Sequence, residues 1–252
     1  MSEVKVNKIS PRSSTTVTLG DASDVFQLPA SAEIDIASGA TLDVNGTIDV
    51  TGATTTGFPA GGMAGVQVYT TLSSTWTKAA RESALGITIT KVIVEVQGAG
   101  GSGSASLNYG GGGGGGFAKK LVDVSSVTAS TISVGTGGAA IAANAGAGAA
   151  GGLSSWADSV NTDVVGNGGG GKPDSGGGAY GDTNPAIGGT GTGGDINIAG
   201  GNSASGGGGN VYGAGREIAI NGQGYGGGGG YGYTTFASGA GANGIVIVWE
   251  YQ

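Results

Sequence analysis

The chain has 252 residues, 60 of them glycine, with no cysteine, no histidine, 11% charged residues and a formal net charge of −7. The missing cysteine excludes disulfide staples and thiolate chemistry, and the missing histidine removes the commonest general base and the commonest metal ligand. Ten scattered Lys and Arg in an acidic chain do not form the basic patch that nucleic-acid binding needs, so no nucleic-acid partner is expected.

The N-terminal MSEVKVNKIS lacks the apolar stretch of a signal peptide, and no apolar run approaches the ~18 residues of a membrane span. Neither membrane insertion nor ordinary secretion is expected, so work outside a cell would require another route of exit. No cofactor, metal or catalytic residue is expected either.

Residues 1–53 read as short strands separated by turn residues. Val17-Thr18-Leu19 stops at Gly20-Asp21, and Val25-Phe26-Gln27-Leu28 stops at Pro29. Ile34-Asp35-Ile36, Leu42-Asp43-Val44 and Ile48-Asp49-Val50 then repeat one pattern, apolar–Asp–apolar, each followed by a glycine (Gly39, Gly46, Gly52). Alternation puts both apolar residues of a triplet on one face. Strands this short are marginal without neighbours, so the pattern predicts an intertwined stalk of several chains about a common axis; an ordinary segment of a monomer is the alternative. Proline and glycine in TTTGFPAGGM mark residues 54–63 as a linker, and residues 64–252 as a second domain.

In that domain Val66–Tyr69 alternates, Lys78–Leu85 fits one or two helical turns, and Ile87–Val96 is the strongest strand pattern of the chain. Trp76 is expected in the core or at a subunit contact. Two nucleotide-site patterns follow. Gly98-Ala99-Gly100-Gly101-Ser102-Gly103 fits G-x-G-x-x-G after a strand, but the polyglycine beyond it cannot sustain the helix that would hold a pyrophosphate. Gly166–Gly171 with Lys172 fits a P-loop, except that Pro173 stands where Mg²⁺ needs Ser or Thr. GGTGTGGDINI resembles a calcium-binding nonapeptide only once and with Asp195 displaced. All three are set aside.

Between Gly98 and Gly244 lie 51 of the 60 glycines, among them the unbroken run Gly110–Gly116. Each glycine held in regular structure costs roughly 0.5–1 kcal/mol relative to alanine, so the region is either disordered or packed as only glycine permits. Bulky segments interrupt it at Phe117–Val124, Thr131–Val134, Leu153–Trp156, Val164-Val165, Asp195–Ile198 and Glu217–Ile220. A second strong strand, Ile245–Tyr251, closes it. Order is therefore expected. Glycine runs without Cβ adopt a threefold, PPII-type helix of ~3.1 Å rise with no internal hydrogen bonds, about 22 Å for seven residues. Their N–H and C=O groups must find partners on neighbouring rods. Residues 110–116, 166–171, 206–209 and 226–230 are the candidate rods, with the alanine-bearing 139–152 at an edge. The expected fold class is mainly β: a short-strand, intertwined N-terminal stalk plus a β-framed glycine-rich domain of packed polyglycine II-type helices.

The stretches TKVIVEVQGAGG, GGGGGGGFAKKLVDV, TISVGTGG, AGAGAAGG and GANGIVIVWEY resemble the glycine-rich C-terminal domain of tail fibres and host-recognition proteins of tailed bacteriophages, over roughly residues 70–252. KISPRSSTTVTLGDASDVFQLPASA and GATLDVNGTIDVTGA are similar to the short β-repeat stalks of phage fibre proteins. The resemblance implies a homotrimeric virion appendage made in the host cytoplasm, joined to other tail proteins through its N-terminal segment. It also implies receptor-reading loops at one end of a glycine-helix sandwich, facing a host glycan or outer-membrane protein.

Side-chain chemistry in such a domain is confined to the turns between rods. The receptor-binding candidates there are Tyr109, Tyr180, Tyr212, Tyr225, Tyr231 and Tyr233, whose rings offer rigid contact area with a polar tip. Asn108, Asp174, Asp182, Asn184 and Asn210 would add hydrogen bonds; closure of the lattice ends is the alternative role for all of them. Three rival functions are a structural cap or spacer of a virion, an ice-binding bundle, and a polysaccharide depolymerase. The last would need paired acids, for which only Asp21/Asp24 and Asp158/Asp163 lie close in sequence.

Overall fold

The computed structural model describes residues 62–106, 110–174, 184–203 and 206–252, all within one compact unit. The stalk reading of residues 1–53 lies outside the described residues.

The fold is mainly β. Two five-stranded antiparallel sheets face each other across an apolar core. In the first, β1 (Met63–Tyr69), β12 (Ile245–Tyr251), β3 (Lys91–Gln97), β4 (Phe117–Asp123) and β9 (Ile196–Ile198) lie side by side in that order. The second runs β2 (Ser73–Thr77), β5 (Ala129–Ser133), β6 (Ser154–Asp158), β7 (Val164–Gly166) and β8 (Gly191–Thr192). A short ribbon pairs β10 (Gly213–Ala214) with β11 (Gln223–Gly224). The linker gives way to β1 at Met63, one residue before the expected domain start.

Alternation along the strands builds the core. Val92, Val94 and Val96 of β3, with Val246 and Val248 of β12, meet Trp76, Ile132, Trp156 and Val164 of the facing sheet. Both tryptophans are fully buried, their rings 5.3 Å apart and tilted at 51°. Such a pair adds about 0.5–1.5 kcal/mol beyond the area it buries. Trp76 is thus a core residue.

Helix α1 (Lys78–Leu85) forms from good helix formers and stops at Gly86, whose left-handed φ of 69° lets its N–H bond back to the Glu82 carbonyl. The turn displaces the start of β3. Ile89 is pulled out of strand pairing, its N–H held by Glu82 Oε1 at 2.9 Å, so pairing begins at Lys91 rather than Ile87. From the helix, Arg81 reaches the fully buried Glu250 with Nε and Nη2, both at 2.8 Å, and the same carboxylate accepts Trp76 Nε1 at 2.8 Å.

Register places the long glycine-rich segments at one end of this sandwich. Gln97, Phe117, Ile198 and Ile245 are neighbours across the first sheet, and Ser133, Ser155 and Val165 across the second. Beyond each of these the chain becomes glycine-rich. At the opposite end Met63 pairs with Tyr251, so the chain enters the unit there, beside α1. The glycine region projects from the far side.

Inside it, hydrogen bonds recur every three residues. Gly112 and Gly115 donate to Gly229 and Gly226, and Gly113 and Gly116 donate to Gly170 and Asn167, all at 2.8 Å; Gly114 donates to Gly201 at 3.0 Å. The carbonyls of Gly113 and Gly116 receive Gly101 and Gly98, while those of Gly112 and Gly114 receive Gly208 and Gly189. Residues 110–116 are therefore bonded to six surrounding stretches, and every one of the seven glycines is buried. A Cβ on Gly112 would run into the carbonyl of Gly101, and one on Gly115 into that of Gly98. Residues 139–145, by contrast, are mostly exposed at the margin.

Candidate receptor-binding face

The glycine-rich stretches are joined by turns, which fall at two levels. At the far end lie 104–106, 141–146, 172–174, 217–220 and 231–238. The chain turns back toward the sandwich at 210–213 and 224–226.

The far turns interlock. Ser106 Oγ donates to Asp174 Oδ1 at 2.9 Å, and Ala105 bridges Gly146, against which the Asp174 carboxylate lies. The Asn144 amide, at a left-handed φ of 58°, donates to the Tyr233 carbonyl. Tyr233 pairs with Phe236 in a tight turn, their rings 6.1 Å apart. Ile141 and Ser238 exchange hydrogen bonds at 2.9 Å, and Ala219 donates to the Tyr231 carbonyl at 2.7 Å. Beneath them Lys172 is fully buried; its Nζ donates to the carbonyls of Pro173 (3.2 Å) and Asn184 (3.1 Å). The P-loop-like segment is thus a glycine stretch ended by an internal lysine, with no helix following it in 172–174. Residues 104–106 and 110–116 after the Rossmann-like pattern are likewise not helical.

Of the candidate residues, Asp174, Asn184, Tyr231 and Tyr233 stand at this far face, while Asn108, Tyr109, Tyr180 and Asp182 lie outside the described residues. Asn210, Tyr212 and Tyr225 stand at the sandwich end instead. Asn210 Oδ1 accepts the amides of Tyr212 (3.0 Å) and Gly213 (2.7 Å), closing the turn. Tyr212 packs edge-on against Phe117, ring centroids 5.7 Å apart, and donates its hydroxyl to Glu95. Burial pushes the Tyr212 phenol up, and the Glu95 carboxylate raises it further. For Glu95, burial opposes ionisation, but the hydrogen bonds from Lys119 (2.8 Å) and Tyr212, with the Lys119 charge, outweigh it and hold its pKa below the usual range.

Sequence reasoning missed Phe236, Ile218 and Ile220, which are exposed on or beside the far turns. Glu217–Ile220 reads as a strand by composition, yet it is a turn with Ala219 at a φ of 52°. Of the acid pairs, Asp158 is occupied structurally: it accepts Trp156 Nε1 (2.8 Å) and the amides of Val160 (2.8 Å) and Asn161 (2.6 Å). Burial alone would raise its pKa, but these bonds leave it lowered, opposite to what a general acid requires. Among the described residues no three acidic groups converge on a possible metal position. No protein-family model matches the chain, and comparison with curated proteins returns no match.

Proposed function

We propose that this chain is a non-enzymatic tail-fibre or fibre-tip protein of a tailed bacteriophage, homotrimeric, that attaches the virion to a receptor on the host surface. One observation carries the reading. The chain enters the sandwich at the Met63–Tyr251 end, and the glycine region with its interlocked turns projects from the opposite end. The turns thus stand at the end of the sandwich opposite the start of β1. The rods are polyglycine II-type helices in this reading, supported by the three-residue recurrence of hydrogen bonds and the six neighbours of 110–116.

Receptor contact falls to the far turns, through Tyr231, Tyr233, Phe236, Asp174 and Asn184. The ligand is a host glycan or an exposed loop of an outer-membrane protein. Aromatic faces and amide or carboxylate groups on rigid supports suit both. Purified full-length protein is expected to bind host cells and to compete with adsorption of the phage that carries it. Failure of both would overturn the adhesin reading.

A second reading, a stable cap or spacer without receptor binding, draws support from Asn210 and Tyr212, whose side chains are engaged in holding the turn and the sandwich end. Imaging of labelled virions separates the two, because an adhesin tip points outward from the particle and a spacer is followed by another protein.

A further inference from the structure

The two outer faces of the sandwich differ in kind. On the second sheet the outward residues Ser73, Thr75, Thr131, Ser133, Ser155, Ala157 and Thr192, with Val165 among them, make a mostly small and polar surface of the sort an antiparallel sheet turns to water. On the first sheet the outward positions instead hold Val66, Val68, Ile247, Trp249, Ile93, Leu121 and Ile196, brought together by register and interrupted only by the pairs Glu95/Lys119 and Lys91/Asp123 among its central rows. Val68, Leu121 and Ile196 are 58%, 52% and 51% exposed. A continuous patch of this composition marks a covered surface.

We infer that copies of this chain pack against one another through the outer face of the β1-β12-β3-β4-β9 sheet, which turns toward the axis of the trimer; the inference rests on the homotrimeric reading above. Charge favours a second copy as the occupant. The whole chain carries −7, so copies repel except where the meeting surface is neutral. This face is neutral: Glu95 is paired with Lys119 at 2.8 Å, and Lys91 stands opposite Asp123 in register.

Dimensions admit three copies. The four seven-residue strands β1, β12, β3 and β4, with the three-residue β9 left at the outer corner, make a face about 19 Å wide at a spacing of about 4.8 Å. Three such faces closed into a triangle put each sheet about 5.5 Å from the axis, close to half of the ~10 Å between packed sheets, so one layer of side chains fills the centre. Tyr212 reaches down from the glycine region over Glu95 and Phe117 and bounds the patch at its upper edge. Ile93 and Ile247, on the two central strands, then lie nearest the axis.

The chain has no cysteine, so a single introduced thiol is unique. Full-length protein is weighed by analytical ultracentrifugation, and Ile93→Cys and Thr131→Cys variants are treated with a short bis-maleimide. The expected result is a native mass three times the 23.7 kDa of one chain, with Ile93→Cys chains linked to one another and Thr131→Cys chains, on the Ser/Thr face, left single. A trimer in which Ile93→Cys fails to link, or links no better than Thr131→Cys, overturns the assignment of this face and leaves the trimeric reading standing. A monomer overturns both, including one whose apolar face is covered by its own residues 1–61.

Discussion

The hydroxyl of Tyr212 is bonded to the carboxylate of Glu95, tying the first turn of the 210–225 excursion to the outer face of β3. A tyrosine in a glycine-flanked turn is thereby a fastening between lattice and sandwich. Tyr212→Phe removes the hydroxyl and is expected to cost about 1.5–3 kcal/mol, the range for a hydrogen bond to a charged group, read as a fall in the urea midpoint. Binding to host cells should not change.

The same bond has a pH signature. Because the Glu95 pKa in the folded state is lowered, its contribution is fully present above the unfolded value of about 4.3 and is lost as pH falls through the folded pKa. Tyr212, whose pKa is raised, contributes below about 10 and loses that contribution as pH rises through its folded value. The stability gap between wild type and Tyr212→Phe should therefore be constant near neutrality and close in acid below pH ~4. A gap that persists unchanged at the acid end would show that Glu95 is not the partner that matters.

Two glycine substitutions should differ in sign. Gly112→Ala drives a methyl into the carbonyl of Gly101 inside the buried rod and is expected to cost more than about 1–3 kcal/mol, the usual cost of overpacking. At Gly209 a Cβ would meet nothing nearer than 3.6 Å, and φ is not positive. Gly209→Ala is expected to be neutral or to stabilise by about 0.4–1 kcal/mol, through the lowered entropy of the unfolded chain. Thermal melts of both variants test the contrast, and equal effects would argue against a close-packed lattice.

At the other end of the sandwich, Arg81→Ala leaves Glu250 fully buried with Trp76 Nε1 as its remaining side-chain donor. Because Arg81 itself is partly exposed, the low end of the range for a broken buried pair applies, about 3 kcal/mol. Denaturant titration should show this loss with no change in receptor binding.

The receptor assignment predicts the reverse pattern. Tyr233→Ala, or Phe236→Ala beside it, should weaken binding to host cells at least tenfold. Tyr225→Ala, at the sandwich end, should leave it intact. Equal losses from all three would point to a general structural effect.

Much of the sandwich is legible in the sequence. Alternation and length mark β12 at 245–251, and helix formers followed by Gly86 mark α1. The onset of β3 is not legible, because Glu82 captures the Ile89 amide through a side-chain contact that no periodicity records. The turn at 217–220 is missed because Ala219, without a glycine's freedom, is held in a left-handed conformation by tertiary bonds. The glycine runs disclose that backbones must pack closely, but not which rod meets which. That is why Asn210, Tyr212 and Tyr225 look the same in sequence as Tyr231 and Tyr233, although they close turns at the opposite level.

Amide hydrogen exchange tests the packed glycine lattice most directly. With every N–H of Gly112–Gly116 bonded to a neighbouring stretch and buried, these amides should exchange only with global unfolding, while the amides of the exposed residues Ala139, Ala140 and Ala142 exchange rapidly. Exchange of Gly112–Gly116 at the rate of an unstructured chain would contradict the account.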